Sequence, residues 1–154
     1  MENTRIRIHL NLFVKNIQKQ VSFCALGKNY VGELLGVRDV FQQLESSLIW
    51  HTKESRAKII TALNYILEDG RPPRQFSLPA TPDMIPDMDL RMYIDQGVWV
   101  ISTIYTYLCY TDDYSILDEL CTYYKIWDNQ RGGTPTKEKF TVLDHLLRIM
   151  DYFI

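Results

Sequence analysis

The sequence predicts an all-α protein built of stacked helical hairpins. Apolar side chains recur every three or four residues in six separate segments, which is the period of an amphipathic helix. We find no convincing strand pattern, and short connections alternate with long ones along the chain. Helices joined by short turns are antiparallel neighbours, so these observations together indicate hairpins stacked side by side.

Three of the predicted helices lie in the first half of the chain, at about residues 8–26, residues 37 or 39 to 50, and residues 53–67. Gly27 ends the first helix, and a glycine-containing connection over residues 28–36 separates it from the second. Thr52 is a candidate N-cap for the third.

A proline-rich segment follows, because residues 71–86 contain five of the six prolines. Proline cannot donate a backbone hydrogen bond, so we expect a long, stiffened loop here. Long loops in compact domains are usually functional or disordered, and the content of this one favours function. Arg71 and Arg74 suit a hydroxyl or phosphate ligand, although ordinary solvated loop charges are the favoured interpretation.

Residues 87–108, DMDLRMYIDQGVWVISTIYTYL, are predicted to be the centre of the domain. A charged approach runs directly into a fourth helix that is apolar almost all round to about Tyr110, and such a helix is buried. The polar start is either a well-capped core helix or the wall of a polar pocket. A fifth helix is predicted over residues 115–127, a polar loop over 128–137, and a sixth helix over 139–154.

Composition excludes several classes of partner and location. A net charge of −2 gives no general attraction for nucleic acid or an anionic membrane. The longest near-apolar run, residues 98–110, is too short to span a bilayer, and residues 1–16 lack the features of a signal peptide, so we expect a cytoplasmic protein. Three cysteines without C-x-x-C spacing suggest neither a disulfide framework nor a metal site.

Four motifs carry a resemblance to a known family. Residues 36–43, GVRDVFQQ, resemble the G-[FVY]-R-D-x-x-Q-[DQ] motif of inverting glycoside phosphorylases of the cellobiose and chitobiose phosphorylase type. Residues 95–99, DQGVW, resemble the D-D-x-x-W segment of that family. Residues 67–70 are similar to its acidic-glycine helix end, and residues 110–117 to its Y-x-x-x-T-G-D-x-x-I-L turn. Order and spacing agree over about residues 11–120.

The resemblance implies an (α/α)6 toroid, of which residues 1–154 would be a single partial domain, about the first half. It implies cleavage of a β-linked gluco-oligosaccharide by inorganic phosphate with inversion, giving an α-sugar 1-phosphate, with no other cofactor. In such chemistry a carboxylic acid protonates the leaving oxygen. The family's general acid lies in a W-N-D motif that this sequence lacks, so we expect no catalytic residue here and no activity of the chain alone.

The resemblance also names substrate-binding residues. Arg38 and Asp39 match positions that line the sugar subsite nearest the cleaved bond, and Asp95 matches the first aspartate of the D-D pair. Gln96 replaces the second aspartate, and Gln43 stands where many members have aspartate. The full set is Arg38, Asp39, Gln43, Arg91, Asp95, Gln96 and Trp99. The alternatives are a helix-start ion pair for Arg38 and Asp39, and an ordinary core position for Trp99. We expect Arg38, Asp39 and Asp95 to lie close enough to touch one small ligand.

A different class of function also fits the sequence, namely a stand-alone helical module that binds sugar or protein without chemistry. Half a toroid would leave apolar side chains exposed along its first and last helices, here on a stripe containing Phe140, Leu143, Leu147, Met150 and Phe153. We therefore expect self-association or association with the missing half of the barrel.

Overall fold

The computed structural model describes residues 2–24, 33–81, 83–128 and 132–153. Within these ranges the protein contains helices and two antiparallel sheets. The helices are α1 (Glu2–Cys24), α2 (Val37–Ser47), α3 (Thr52–Leu63), α4 (Gln96–Thr111) and α5 (Val142–Phe153), with a short 3₁₀ helix over Tyr114–Asp118. The strands are β1 (Leu34–Gly36), β2 (Gln75–Ser77), β3 (Met88–Asp89), β4 (Leu120–Ile126) and β5 (Gly133–Thr141).

The prediction of an all-α fold of stacked hairpins is therefore wrong, and with it the half of an (α/α)6 toroid. The structure is a mixed arrangement in which α2, α3 and α4 pack around a core and two small sheets lie beside them. Of the predicted short-turn pairs, α2 and α3 form one, whereas α4 is followed by the 3₁₀ helix and a strand.

The predicted fifth helix, residues 115–127, accounts for the largest error. Its second half is β4, which pairs antiparallel with β5. Thr122, Tyr123, Tyr124 and Ile126 belong to the aromatic and β-branched types that favour strands, and their spacing also fits a helix. Tertiary pairing decides between the two. Gly133 of β5 lies so close to β4 that an added Cβ would stand 2.4 Å from the Lys125 carbonyl oxygen.

The predicted loop over residues 128–137 contains the first half of β5, and the last helix begins at Val142 rather than at 139. The start of α5 is set by a capping box. The Thr141 hydroxyl accepts a hydrogen bond from the Asp144 backbone N–H at 3.1 Å, and the Asp144 carboxylate accepts one from the Thr141 N–H at 2.9 Å.

The first sheet lies in segments that were predicted to be connections. Its order is β1-β2-β3, and all neighbours are antiparallel. The prolines do not prevent β2 from forming because Gln75–Ser77 contains none. The predicted end of the first helix at residues 25–27, and the connection as far as residue 32, lie outside the described residues.

The core contains large buried side chains from each helix of the α2–α3–α4 group and from the first sheet, including Phe41, Leu63, Ile104 and Phe76. The sequence predicts that the central helix α4 is buried, but one side of it is exposed. Val98 and Tyr105 are 60% and 68% exposed, because this side of α4 packs against no other described element. Thr52 is the first residue of α3 rather than its N-cap, and its hydroxyl donates to the Leu48 carbonyl.

The expected apolar edge along the first and last helices is confirmed. On α1, Leu10 and Phe13 are 58% and 61% exposed, and the helix meets the body only near its C-terminal end, where Ser22 contacts His51. On α5, the exposed apolar residues are Leu143, Leu147, Met150 and Phe153. Phe140 of the predicted stripe belongs to β5 and is partly buried.

Candidate functional site

The first turn of α2 carries two of the predicted binding residues. Gly36 is the last residue of β1, and α2 begins at Val37, which is one of the two predicted start positions. The Val37 backbone N–H donates to the Arg74 carbonyl at 3.1 Å, which fixes this junction against the neighbouring strand β2. Arg38 and Asp39 therefore lie in the first turn of α2, directly after a junction that this hydrogen bond holds in place.

Arg38 and Asp95 meet although 57 residues separate them in the sequence. The Arg38 Nη1 atom lies 3.0 Å from Asp95 Oδ2, and both side chains remain more than 40% exposed. The hydrogen bond from Arg38 lowers the pKa of the Asp95 carboxyl, and a further hydrogen bond from the Trp99 side chain acts in the same direction. Asp95 is thus held as a carboxylate that a ligand can still reach.

Asp39 points into a different environment from its neighbour. It lines a cleft of about 370 Å³ between α1 and α2, together with Gln43, Gln42 and Cys24. Its Oδ2 atom is shielded from solvent and accepts no hydrogen bond within the part of the chain that the structure describes. An unsatisfied buried acceptor costs about 1–3 kcal/mol, so a hydrogen-bond donor that reached this oxygen would be bound favourably.

We call Arg38, Asp39 and Asp95 the Arg38 cluster. The structure brings Arg38 and Asp95 into direct contact, whereas Asp39, the next residue of α2, lines a cleft whose lining includes neither Arg38 nor Asp95. Carboxylates accept hydrogen bonds from hydroxyl groups, and a guanidinium donates them. Their role in binding, and that of Gln43, stays a prediction.

The other predicted site residues of α4 are more closely tied to the core. Gln96 is the first residue of the helix and only 4% exposed. Trp99 is half-buried and packs against the hydrophobic core, although its side chain also contacts Asp95. Trp99 can orient Asp95, and neither residue presents a large accessible surface to a ligand.

Arg91 contacts a residue that the sequence analysis did not select. Its guanidinium donates to both carboxylate oxygens of Asp89, with Nη2 at 2.6 Å from Oδ2, and is itself highly exposed. Arg74 approaches the same carboxylate at 3.0 Å and stacks over the Tyr93 ring at 4.9 Å. The hydrogen bond from Arg91, with those from Arg74, lowers the pKa of Asp89 to about 2.

Sequence reasoning therefore missed the contact between Arg74 and Asp89. Two features of the sequence could have indicated this contact. Arg74 directly precedes the alternating residues of β2, and Asp89 lies two residues before Arg91. Arg74 is not the solvated loop charge that the sequence favoured, because its side chain is only 22% exposed and paired.

Comparisons with known proteins add no family to this geometry. Neither the protein-family models nor the curated proteins searched contain a match to the chain. Among the described residues, no group of three or more histidines, cysteines, aspartates or glutamates could hold a metal ion. No helix in the described ranges has the length and apolar content needed to cross a bilayer.

Proposed function

We propose that this chain binds a β-linked gluco-oligosaccharide through the Arg38 cluster and forms part of a carbohydrate-active enzyme. The reaction proposed is cleavage by inorganic phosphate with inversion, giving an α-sugar 1-phosphate in the cytoplasm. The observation that carries this proposal is the 3.0 Å contact between Arg38 and Asp95. It joins the two segments that resemble the sugar-binding motifs of inverting glycoside phosphorylases.

The chemistry of the cluster supports a polyhydroxylated ligand. Carboxylates accept hydrogen bonds from hydroxyl groups, and a guanidinium donates several in a fixed plane. The shielded Asp39 oxygen lacks a donor among the described residues, and a sugar hydroxyl would supply one. Binding would thus satisfy a group that folding leaves unsatisfied.

The chain is proposed to bind without catalysing the reaction. No residue of the sequence matches the W-N-D motif that carries the general acid in the resembled family. General acid catalysis contributes about 10²- to 10⁴-fold to rate, so its absence leaves binding as the measurable function.

A protein-interaction module is the second candidate, because several apolar side chains of α1 are exposed, among them Leu10 and Phe13 by more than half. Large exposed apolar patches mark interaction sites. A surface of this kind would serve self-association or association with a partner protein. It makes no use of the Arg38 cluster, which distinguishes the two candidates.

Calorimetric titration with glucose and cellobiose tests the proposal. We expect the unchanged chain to bind cellobiose, and Arg38→Met to bind it at least about tenfold more weakly, since hydrogen bonds from charged groups contribute about 1.5–3 kcal/mol. Arg5→Met, an exposed arginine on α1, is the matched control and should bind as the unchanged chain does. Addition of phosphate should release no sugar 1-phosphate. Absence of saccharide binding, or equal binding by Arg38→Met, would refute the proposed site.

A further inference from the structure

Helix α1 carries an exposed apolar stripe with the spacing of a helix-packing seam. Its members follow one another at intervals of four, three and four residues, which places them on one side of the helix. We call them the α1 stripe, and they are Ile6, Leu10, Phe13 and Ile17. The helix packs on α2 near its C-terminal end, where Val21 and Ser22 are half-buried. Residues 3–17 are all exposed, so the described part of the chain leaves the stripe uncovered.

A helix of this kind needs a surface to pack on. Most helical stability in proteins comes from tertiary packing of an apolar face, and short isolated helices are marginal in water. Ile8, Leu12 and Val14 of the same helix are exposed as well. Apolar patches larger than a few hundred Å² are rare on monomeric proteins. The charge of α1 indicates which surface can cover it.

Helix α1 is the basic part of an otherwise acidic chain. It contains four lysines and arginines and one glutamate, which gives a formal charge of +3. Because the whole chain carries −2, the remainder carries −5. Arg5 and Arg7, the two neighbours of Ile6, lie on opposite sides of the stripe. Two α1 helices packed on each other would bring like charges together, so an acidic apolar surface is the better partner.

Helix α5 presents a surface with these properties. Leu143, Leu147 and Met150 are exposed, and their intervals of four and three residues match those of the α1 stripe. We call these three residues the α5 stripe. Asp144 and Asp151 are exposed beside it. The exposed side of α5 is therefore both apolar and acidic.

The two stripes belong to different parts of the molecule. Helix α1 packs on α2, whereas α5 packs on α3, α4 and β5. Arg148, the only lysine or arginine of α5, stacks over the rings of Tyr123 and Phe140, so its guanidinium lies over the β4–β5 sheet. The α1 stripe thus matches the α5 stripe of a second copy in spacing and opposes it in charge.

We propose that two copies of this chain form a dimer by reciprocal packing, in which the α1 stripe of each copy covers the α5 stripe of the other. Twofold symmetry forms this contact twice, which doubles the apolar area removed from water. This inference rests on the second candidate function, the protein-interaction module, and names its partner. It makes no use of the Arg38 cluster.

Sedimentation of the unchanged chain and of two blocking variants tests the dimer. The α1 variant carries Leu10→Glu and Phe13→Glu, and the α5 variant carries Leu147→Glu and Met150→Glu. These side chains are exposed in the single chain, so their replacement removes no buried contact of the fold. We expect a dimer for the unchanged chain at micromolar concentration. Each variant should raise the dissociation constant at least about tenfold, because a charge placed in an apolar contact is costly.

Two further variants control for unspecific effects. Ile94→Glu with Val98→Glu is the matched control, because both residues are exposed and apolar but belong to neither stripe. It should dimerise as the unchanged chain does. Asp151→Lys is a milder variant of α5 for use if the double substitutions prevent folding. A cation near the C-terminus of a helix favours the helix, so weaker dimerisation of this variant could not result from unfolding.

Mixing the two blocking variants distinguishes the reciprocal contact from other dimers. Each variant retains the stripe that the other lacks, so the mixture should form a heterodimer although neither variant dimerises alone. This heterodimer should need a higher concentration than the unchanged dimer, because only one of the two contacts forms. A mixture without heterodimer would overturn the proposal.

Other outcomes would contradict the contact in recognisable ways. A dimeric α5 variant would indicate packing of α1 on α1, and a dimeric α1 variant would indicate packing of α5 on α5; both would leave self-association standing. A monomeric unchanged chain would remove self-association itself. If that monomer bound phosphatidylserine vesicles and the α1 variant did not, α1 would be a membrane-binding helix instead. Cellobiose binding by the α1 variant should equal that of the unchanged chain, so the saccharide proposal is tested separately.

Discussion

Two charged clusters of this protein contain an arginine and aspartates, but they differ in how completely they are hydrogen-bonded. In the Asp113 cluster, Arg56 and Tyr107 donate to the Asp113 carboxylate at 3.0 and 2.6 Å, and Ser115 donates to its other oxygen. Arg56 also pairs with Glu119 at 2.9 Å. In the Arg38 cluster, one oxygen of Asp39 has no donor among the described residues.

This difference indicates different roles. The Asp113 cluster ties α3 to the turn that follows α4, and each of its charged groups has a partner within the chain. It resembles a structural network, in which removal of one member leaves the others unsatisfied. The Arg38 cluster retains unused hydrogen-bonding capacity, as a binding site requires before its ligand arrives.

Removal of the Asp113 carboxylate should therefore have the largest effect on stability. We expect Asp113→Ala to lower the free energy of unfolding by about 2–3 kcal/mol, because it breaks charged hydrogen bonds and leaves the buried Tyr107 hydroxyl without its acceptor. Urea unfolding measures the change, and Asp118→Ala, an exposed aspartate of the 3₁₀ helix, is the control. A loss below about 0.5 kcal/mol, the usual effect of a surface substitution, would mean that the cluster is not structural.

The dependence of the free energy of unfolding on pH should show a smaller effect, in the acid range. Hydrogen bonds from Ser115 and then Tyr107 lower the pKa of Asp113 to about 2, and those from Arg91 and Arg74 do the same for Asp89. The ordinary value is 3.8, so the unfolded chain binds these protons first as the pH falls. The stabilisation is complete above about pH 5 and is lost progressively as the pH falls towards 2.

Urea midpoints between pH 5 and pH 2 test this dependence. Asp113→Ala should show a shallower decline than the unchanged chain, because one of the two carboxyls whose pKa is lowered to about 2 is gone. Parallel pH curves for the two proteins would show that Asp113 does not carry the dependence.

Sequence patterns predicted the secondary structure of the first half of the chain better than that of the second half. The starts of α2 and α3 were found because a glycine and a polar turn precede them, and the apolar stripes that follow are buried. The second half failed because β4 depends on a partner about ten residues away whose side chains are mostly exposed and polar. The Thr141–Asp144 capping box was a local signal that could have set the start of α5.

His145 illustrates the same limit. The structure buries it completely, stacked 4.0 Å from the Tyr123 ring. Its ring nitrogens face the carbonyl oxygens of Thr141 and Thr122, and burial lowers its pKa. These contacts come from β4 and the end of β5, so they could not be predicted while both were assigned to other structures.

The candidate site was predictable where it depends on motifs and not where it depends on the sheet. Arg38 and Asp95 were expected to lie close together, and their 3.0 Å contact confirms this part of the expectation. The pairing of Gln75 with Asp89 was not predicted, because it results from strand register and the proline-rich segment shows no strand pattern. A two- or three-residue strand is too short for its alternation to be read from the sequence.

The most direct test of the contrast between the clusters is the free energy of unfolding of Asp39→Ala, measured by urea denaturation without ligand. A carboxylate in the first turn of a helix gains about 0.3–1 kcal/mol from the helix dipole, whereas an unsatisfied buried acceptor costs about 1–3 kcal/mol. We therefore expect the variant to be more stable than the unchanged chain by about 1 kcal/mol, the opposite of Asp113→Ala. A loss of 1 kcal/mol or more would show that Asp39 stabilises the fold and would contradict its assignment to a ligand.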